Sequence, residues 1–435
     1  MKPHLRLRLR AGVRHQPIPA WHGIDLKGVT DHRLRPDVDA IFRRHRRPVW
    51  FTSEYEPAGP GWTEDERSCG LDRVVRVVSQ SDHAFSPMLV AELSALPTVA
   101  AVRAMPVAQA PITALTLSTR RPGDWAGELI GLAEAHQMTT GSAEVTVAVL
   151  DTGVDRSHPE LTLVPGRDFV DVIPGADTFI GDAIGADGAP DDPGVGHGTH
   201  VSGIVNARGL AMPTGVAPGC LVMPVRVLGA LERDGQLIGA GLVDNIDNGI
   251  KWAVDAGASV INMSLGIRRV GGGLPHARVI AYAERRGVVV VAASGNDGTN
   301  ELYYPGSLPG VLAVGAVDRD GSVPGFSTWG RQVDLVAPGV EIYSSLLGGT
   351  YGFASGTSQA SPFVAGAAAL LRSYALERGL TVSRSTITRL LSATANRPST
   401  AWRDRHFGDG VLDLRDALRL FDLELDQLPA GRTAA

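Results

Sequence analysis

The chain has 435 residues, 44% of them hydrophobic and 20% charged, and a formal net charge of −5. At about 150 residues per domain the length suggests roughly two to three domains, and 52 Gly with 28 Pro make the chain turn-rich without the composition of a collagen-like or disordered protein. No run of about 18 apolar residues occurs, so no membrane-spanning helix and no membrane partner is expected. Residues 1–47 carry 12 Lys/Arg against four Asp. These basic residues alternate with apolar ones, as on a strand face, without the aromatic interleaving that stacks bases, so no nucleic-acid partner is expected. Cys69 and Cys220 are the only cysteines, too few for a disulfide framework. The N-terminus MKPHLRLRLRAG lacks a continuous apolar core of 7–15 residues, which reads as a cytoplasmic protein rather than a secreted one.

Leu5, Leu7 and Leu9 alternate with Arg6, Arg8 and Arg10, the period-two pattern of a strand with one buried face. A short helix is predicted over 37–45, strands over 49–53 and 74–78, a helix over 86–96 started by Ser-Pro, and a last strand over 99–104. The order β-α-β-β-α-β predicts a small ferredoxin-like N-terminal α+β domain over 1–110. Residues 111–124 are expected to be a linker, with Arg120-Arg121 a solvated turn or a processing site.

From Trp125 strands and helices alternate. Strands are predicted at 145–150, 221–228, 260–265, 288–293 and 311–317, and helices at 242–256, 275–286 and 357–377. Val145–Leu150 is apolar throughout, as suits a strand buried on both faces. The pattern predicts an α/β fold, a doubly wound parallel sheet with helices on both faces, over 125–420, followed by a C-terminal tail at 421–435. Ligands on such sheets bind beyond the carboxyl ends of the strands.

Four segments sit there. Asp151-Thr152-Gly153 follows the first strand. Gly196-His197-Gly198-Thr199-His200 opens toward a helix, with two histidines about one turn apart, and spacing alone does not choose between them. Metal ligation by that pair lacks the further His or Cys it would need. Gly356-Thr357-Ser358 leads into a small apolar helix whose N-terminus favours developing negative charge. Ala293-Ser294-Gly295-Asn296 ends a Val-rich strand, and an Asn amide there is placed to donate to an oxyanion. A serine hydroxyl needs a base, and a carboxylate orients a histidine base. The chain supplies Asp151, His197 and Ser358 in that order, the order of subtilisin and not of chymotrypsin or the α/β-hydrolases.

These segments, with GVAPG at 215–219, VINMSLG at 260–266, AVGAVD at 313–318 and VAPGVEI at 336–342, resemble the subtilisin-like serine proteases (subtilases, peptidase S8 family) over roughly residues 125–420. The resemblance implies a serine endopeptidase acting on peptides or proteins. Ser358 would be the nucleophile, His197 the base, Asp151 its orienting carboxylate and Asn296 an oxyanion donor. Ser264, Leu265 and Gly266 would pair with an extended substrate, facing a wall of Ala293, Ser294 and Gly295, with Tyr303 narrowing the pocket. The N-terminal domain resembles an inhibitory prodomain, which makes it an intramolecular inhibitor. Gln359 and Phe363 depart from the residues common after the nucleophile. Arg268-Arg269 is read as solvated or as meeting acidic substrate residues, and Asp191 with Asp192 as favouring basic ones. The resemblance allows a structural calcium, but Glu160 and the short loop 204–214 give no ligand set, so no metal or cofactor is assigned. The acidic stretch 168–192 (Asp168, Asp171, Asp177, Asp182, Asp187, Asp191, Asp192) is read as a solvated loop in preference to a calcium loop. A second functional reading is an inactive or permanently inhibited peptide-binding member of the same fold.

Overall fold

A computed structural model describes residues 3–21, 33–104, 107–109, 115–118, 123–170, 188–233, 236–268, 274–397 and 404–426. Arg120, Arg121, Asp171, Asp177, Asp182, Asp187 and Arg269 lie outside the described residues.

The N-terminal part runs β1 (His4–Leu9), α1 (Pro36–Arg44), β2 (Val49–Ser53), α2 (Glu64–Cys69), β3 (Val74–Ser79), α3 (Pro87–Ala95) and β4 (Val99–Ala104). The strands form an antiparallel sheet in the order β2-β3-β1-β4. Leu5, Leu7 and Leu9 are buried in one cluster with Val38, Ile41 and Phe42 of α1 and Leu89 and Leu93 of α3. The strand period therefore turns Arg6 and Arg8 to the opposite face. Pro36 starts α1, and the Ser86 hydroxyl accepts the Leu89 N–H to start α3. Helix α2 falls in a stretch expected to be loop. Its signal is the capping box of Thr63 and Glu66.

The segment read as a linker contains the strand β6 (Thr116–Leu117), and the end of the range read as the N-terminal domain contains β5 (Val107–Gln109). Each joins a sheet of the body described below, which corrects the linker reading for 116–117 and the domain assignment of 107–109.

The body continues with α4 (Trp125–Leu129), α5 (Leu132–Met138), β7 (Thr146–Asp151), β8 (Arg167–Asp168), α6 (His197–Asn206), β9 (Leu221–Arg226), β10 (Gly229–Arg233) and β11 (Gln236–Leu242). Next come α7 (Val243–Asp255), β12 (Val260–Met263), β13 (Ile267–Arg268), α8 (Ala277–Arg285), β14 (Val289–Ala293), β15 (Tyr303–Tyr304) and β16 (Val311–Val317). The chain closes with β17 (Leu335–Pro338), β18 (Ile342–Leu346), β19 (Thr350–Ala354), α9 (Thr357–Leu376), α10 (Arg384–Thr394) and α11 (Leu414–Asp426).

Seven parallel strands form the main sheet in the order β17-β16-β14-β12-β7-β9-β8. Central β7 shows why its sequence is apolar throughout. Val147 and Val149 pack into the cluster on the side of α6 and α9, and Ala148 and Leu150 into the cluster on the side of α7 and α8. This is the expected doubly wound α/β arrangement. The five predicted strands are present, and β17, part of the VAPGVEI segment, completes one edge. The expected tail needs correction: α11 runs through Asp426, and Phe421 is buried in the core.

The N-terminal sheet meets the body through ion pairs. Arg76, 1% exposed, donates through Nε and Nη2 to Glu54 at 3.1 and 2.9 Å, and through Nη2 to Asn245 of α7 at 3.2 Å. Asn248 of α7 donates to the same Glu54 at 2.6 Å. Arg6 Nη2 lies 2.6 Å from Asp247 Oδ2. Removing one partner of a buried pair strands the other charge in a low-dielectric site. Arg76→Ala is therefore expected to lower stability by about 3–5 kcal/mol, read as a fall in the urea midpoint of the full chain, with no comparable fall for exposed Arg44→Ala.

Candidate active site

Asp151 is the last residue of β7, at the carboxyl edge of the main sheet. Its Oδ1 accepts the Nδ1–H of His197 at 2.7 Å and the Thr152 backbone N–H at 2.8 Å. Both side chains are buried, at 1% and 2% exposure. His197 is the first residue of α6. The two elements touch because residue 198 is glycine: a Cβ there would stand 2.1 Å from the Gly153 carbonyl oxygen. Burial opposes a charge on His197, but the adjacent Asp151 charge and hydrogen bond, with Asp192, outweigh it and raise its pKa above 6.5. Its Nε2 is buried and makes no hydrogen bond among the described residues.

His200 has a different environment. Its Nε2–H faces the carbonyls of Ile342 and Gly352 at 3.1 and 3.3 Å. Burial, with His197 beside it, pushes it down to about 3, so it is neutral and ties α6 to β18 and β19. The two rings differ in what they touch: His197 meets a carboxylate and His200 two backbone carbonyls.

Ser358 is the second residue of α9 and is buried. Its N–H is among the helix's first donors, which have no intrahelical acceptor. Its hydroxyl donates to the Ser264 carbonyl at 3.2 Å and not to His197. Pro362 has no N–H to offer the Ser358 carbonyl four residues back. The Ser264 hydroxyl supplies that donor at 2.7 Å and also meets Ser361 Oγ at 2.9 Å. Ser264 is thus an anchor for the start of α9 as well as a member of the Ser264-Leu265-Gly266 edge, in which Leu265 is buried.

Asn296 follows β14. Its Oδ1 accepts both the N–H and the hydroxyl of Thr357 at 2.8 Å. Those donors fix the amide orientation and turn Nδ2 away from Thr357. Thr357 Oγ1 also accepts the Gly295 N–H at 3.2 Å. The part Thr357 plays in aiming Asn296 depends on a contact between distant segments, which residue order does not show. Ala293 is the end of β14, and Ser294 donates its hydroxyl to the Thr328 carbonyl at 3.1 Å. Gly295 has φ +113, and a Cβ there would stand 2.6 Å from Tyr303 Cδ2; one on Gly266 would stand 3.3 Å from Tyr303 Cδ1. The Tyr303 ring therefore lies between the two glycine walls.

Asp192 was not expected in this framework. It accepts the Thr152 hydroxyl at 2.5 Å and the N–H groups of Gly194, Val195 and Gly196 at 3.0, 2.7 and 2.9 Å, which fixes the entry to α6. Asp191 is clamped by Arg156 through two contacts of 2.6 Å. Asp192 is committed to its donors and offers no free carboxylate to a basic substrate residue, whereas Asp191 stays half-exposed beside Arg156. Arg268 is exposed, as the solvated reading expects, and pairs with Asp297 and with Glu301 at 3.1 Å. Phe363 belongs to the core, and Gln359 is buried beside Ser358 with neither amide atom hydrogen-bonded among the described residues.

Glu160 is fully buried and accepts the N–H groups of Gly209, Leu210 and Ala211 at 2.8, 3.0 and 2.6 Å. Donors converging on a carboxylate stand where a cation's other ligands would have to be acceptors, so the residues here do not fit calcium. No group of three or more His, Cys, Asp or Glu able to hold a metal occurs among the described residues. No helix of the described residues is long and apolar enough to cross a membrane.

The sequence model of the Subtilase family matches residues 142–410. The chain is 43% identical over 246 residues to the thermophilic serine proteinase of Bacillus sp. (strain AK1), covering 55% of each chain. It is 37% identical over 287 residues to subtilisin E of Bacillus subtilis (strain 168), covering 65% of this chain and 68% of that one. It is 39% identical over 249 residues to subtilisin Savinase of Lederbergia lenta, covering 57% of this chain and 83% of that one. The chain spans about half the length of the first of these relatives. The matched stretch holds the ends of β7 and β14 and the starts of α6 and α9, and the chain belongs to the Subtilase family.

Proposed function

We propose that the protein is a serine endopeptidase in which Ser358, His197 and Asp151 cleave peptide bonds, assisted by Asn296. The observation that carries this reading is the buried 2.7 Å Asp151–His197 bond at the sheet's carboxyl edge, with the Ser358 and Thr357–Asn296 segments at the same edge. Ser358 Oγ attacks the scissile carbonyl carbon as its proton passes from the Ser264 carbonyl contact to His197 Nε2. Asp151 holds the ring tautomer and stabilises the imidazolium that forms. The oxyanion receives hydrogen bonds from Asn296 Nδ2 and the Ser358 N–H at the start of α9. His197 then protonates the leaving amine, the C–N bond breaks, and water attacks the acyl-Ser358 ester by the reverse proton path.

The substrate would lie as an added strand along Ser264-Leu265-Gly266, opposite Ala293-Ser294-Gly295. With the Tyr303 ring between Gly266 and Gly295, the pocket between these walls takes small side chains.

The N-terminal part is read as a ferredoxin-like intramolecular inhibitor. In support, β5 pairs antiparallel with β11 (Val107 opposite Leu242, Gln109 opposite Ala240) and β6 pairs with β19 (Leu117 opposite Gly352). Leu115 approaches Gly196, next to His197: a Cβ on Gly196 would lie 3.3 Å from it. β5 and β6 thus join two different sheets of the body.

Ser358→Ala is expected to reduce peptide hydrolysis by roughly 10³-fold or more, to abolish fluorophosphonate labelling, and to leave the chain uncut between residues 106 and 125, as read by mass spectrometry of its N-terminus. Unchanged hydrolysis and labelling would refute the reading. Only neutral His197 accepts the serine proton, and its pKa is raised, so kcat/KM should climb with pH through a midpoint above 6.5. Asp151→Asn should move that midpoint down. Tyr303→Ala should raise kcat/KM for a bulky aromatic side chain before the scissile bond by about tenfold or more relative to alanine there.

A further inference from the structure

Between the N-terminal sheet and the body lies a cavity of about 280 Å³. The sheet supplies Arg6, Arg8 and Arg103 to its lining, and the body supplies Asp247, His276 and Arg278. Arg6 stands directly opposite Arg103 across the β1–β4 pairing, and Arg8 is two residues along the same face. Like charges placed this way repel, and a guanidinium cannot shed its proton to relieve the repulsion.

Asp247 neutralises only Arg6 of this group. Its carboxylate is already engaged by Arg6 at 2.6 Å and by His276 Nδ1 at 2.7 Å. Arg278 donates to the Cys69 carbonyl at 2.8 Å, a neutral acceptor. The side chains of Arg8 and Arg103 make no hydrogen bond or ion pair among the described residues. Burial, followed by Arg103, Arg73 and Arg10, holds Arg8 below the ordinary arginine value. Burial and then Arg6 do the same for Arg103. Elsewhere on this interface the buried cations Arg6 and Arg76 have carboxylates. Here, at the mouth of the same interface, the positive charge is left in excess.

We propose that this cavity is a binding site for a small, multiply charged oxyanion of the phosphate class, held by Arg8 and Arg103 from the sheet and Arg278 from α8. Planar guanidiniums present paired N–H donors that match such oxygens, and the volume admits a phosphate or a pyrophosphate. Because the two walls belong to different parts of the chain, the anion bridges them. By linkage it stabilises the docked arrangement over the separated one. The site does not depend on peptide hydrolysis.

The test is calorimetric titration of inorganic pyrophosphate into the full chain carrying Ser358→Ala, which keeps it intact, at fixed ionic strength so that general screening is constant. Saturable binding is expected, and it should weaken about tenfold in Arg8→Gln/Arg103→Gln and likewise in Arg278→Gln, which alters the opposite wall. Pyrophosphate should raise the melting temperature of the parent and not of the double variant. Without anion the double variant should melt no lower than the parent, because repulsion has been removed. Absence of binding up to about 10 mM, or equal binding by parent and both variants, overturns the proposal. Hydrolysis by the chain with Ser358 intact is measured separately, so failure of either reading is distinguishable from failure of the other.

Discussion

The contact between Asp151 and His197 is made where a strand end and a helix start come within backbone contact. A side chain at position 198 would collide with the Gly153 carbonyl, so the approach depends on an absent Cβ. Everything else at the site is arranged around keeping that junction fixed. Thr152 donates to Asp192 and accepts from the Gly198 N–H, and Asp192 gathers three further N–H groups at the entry to α6. The result is a carboxylate and an imidazole held dry and in register, a condition under which their mutual attraction is stronger than in water.

A second junction is built at the start of α9 by different means. There a proline removes a helix donor, and a serine from another strand replaces it. Thr357, beside Ser358, uses both its donors to orient the Asn296 amide. Each functional segment is thus positioned by a neighbour that has no part in the chemistry, and the sheet's carboxyl edge brings the segments together.

The alternation of Leu5, Leu7 and Leu9 and the apolar run of β7 carried their strand assignments because burial on one face or two is written directly into residue order. Asp151, His197, Asn296 and Ser358 stood out because glycines and strand ends flank them. Helix α2 was missed although Thr63 and Glu66 announce it, since the signal is a cap and not a periodicity. The partners of Asp191, Asp192 and Arg268, namely Arg156, Thr152 and Asp297, were not legible in residue order because the fold brings them together. His197 and His200 are alike in sequence and differ only in what folding sets against each ring. The role of Thr357 and the wedging of Tyr303 between Gly266 and Gly295 are likewise long-range facts.

The strands β5 and β6 belong to separate sheets of the body. Severing the chain between them would remove a tether without removing either strand's ladder, or the ion pairs that fasten the N-terminal sheet to α7. On the proposed inhibitory reading of the N-terminal part, a nicked molecule would therefore still be a closed one. How long it stays shut would be set by the off-rate of a fragment that has become a separate ligand, so the timing of release becomes a property of the interface and not of the cut.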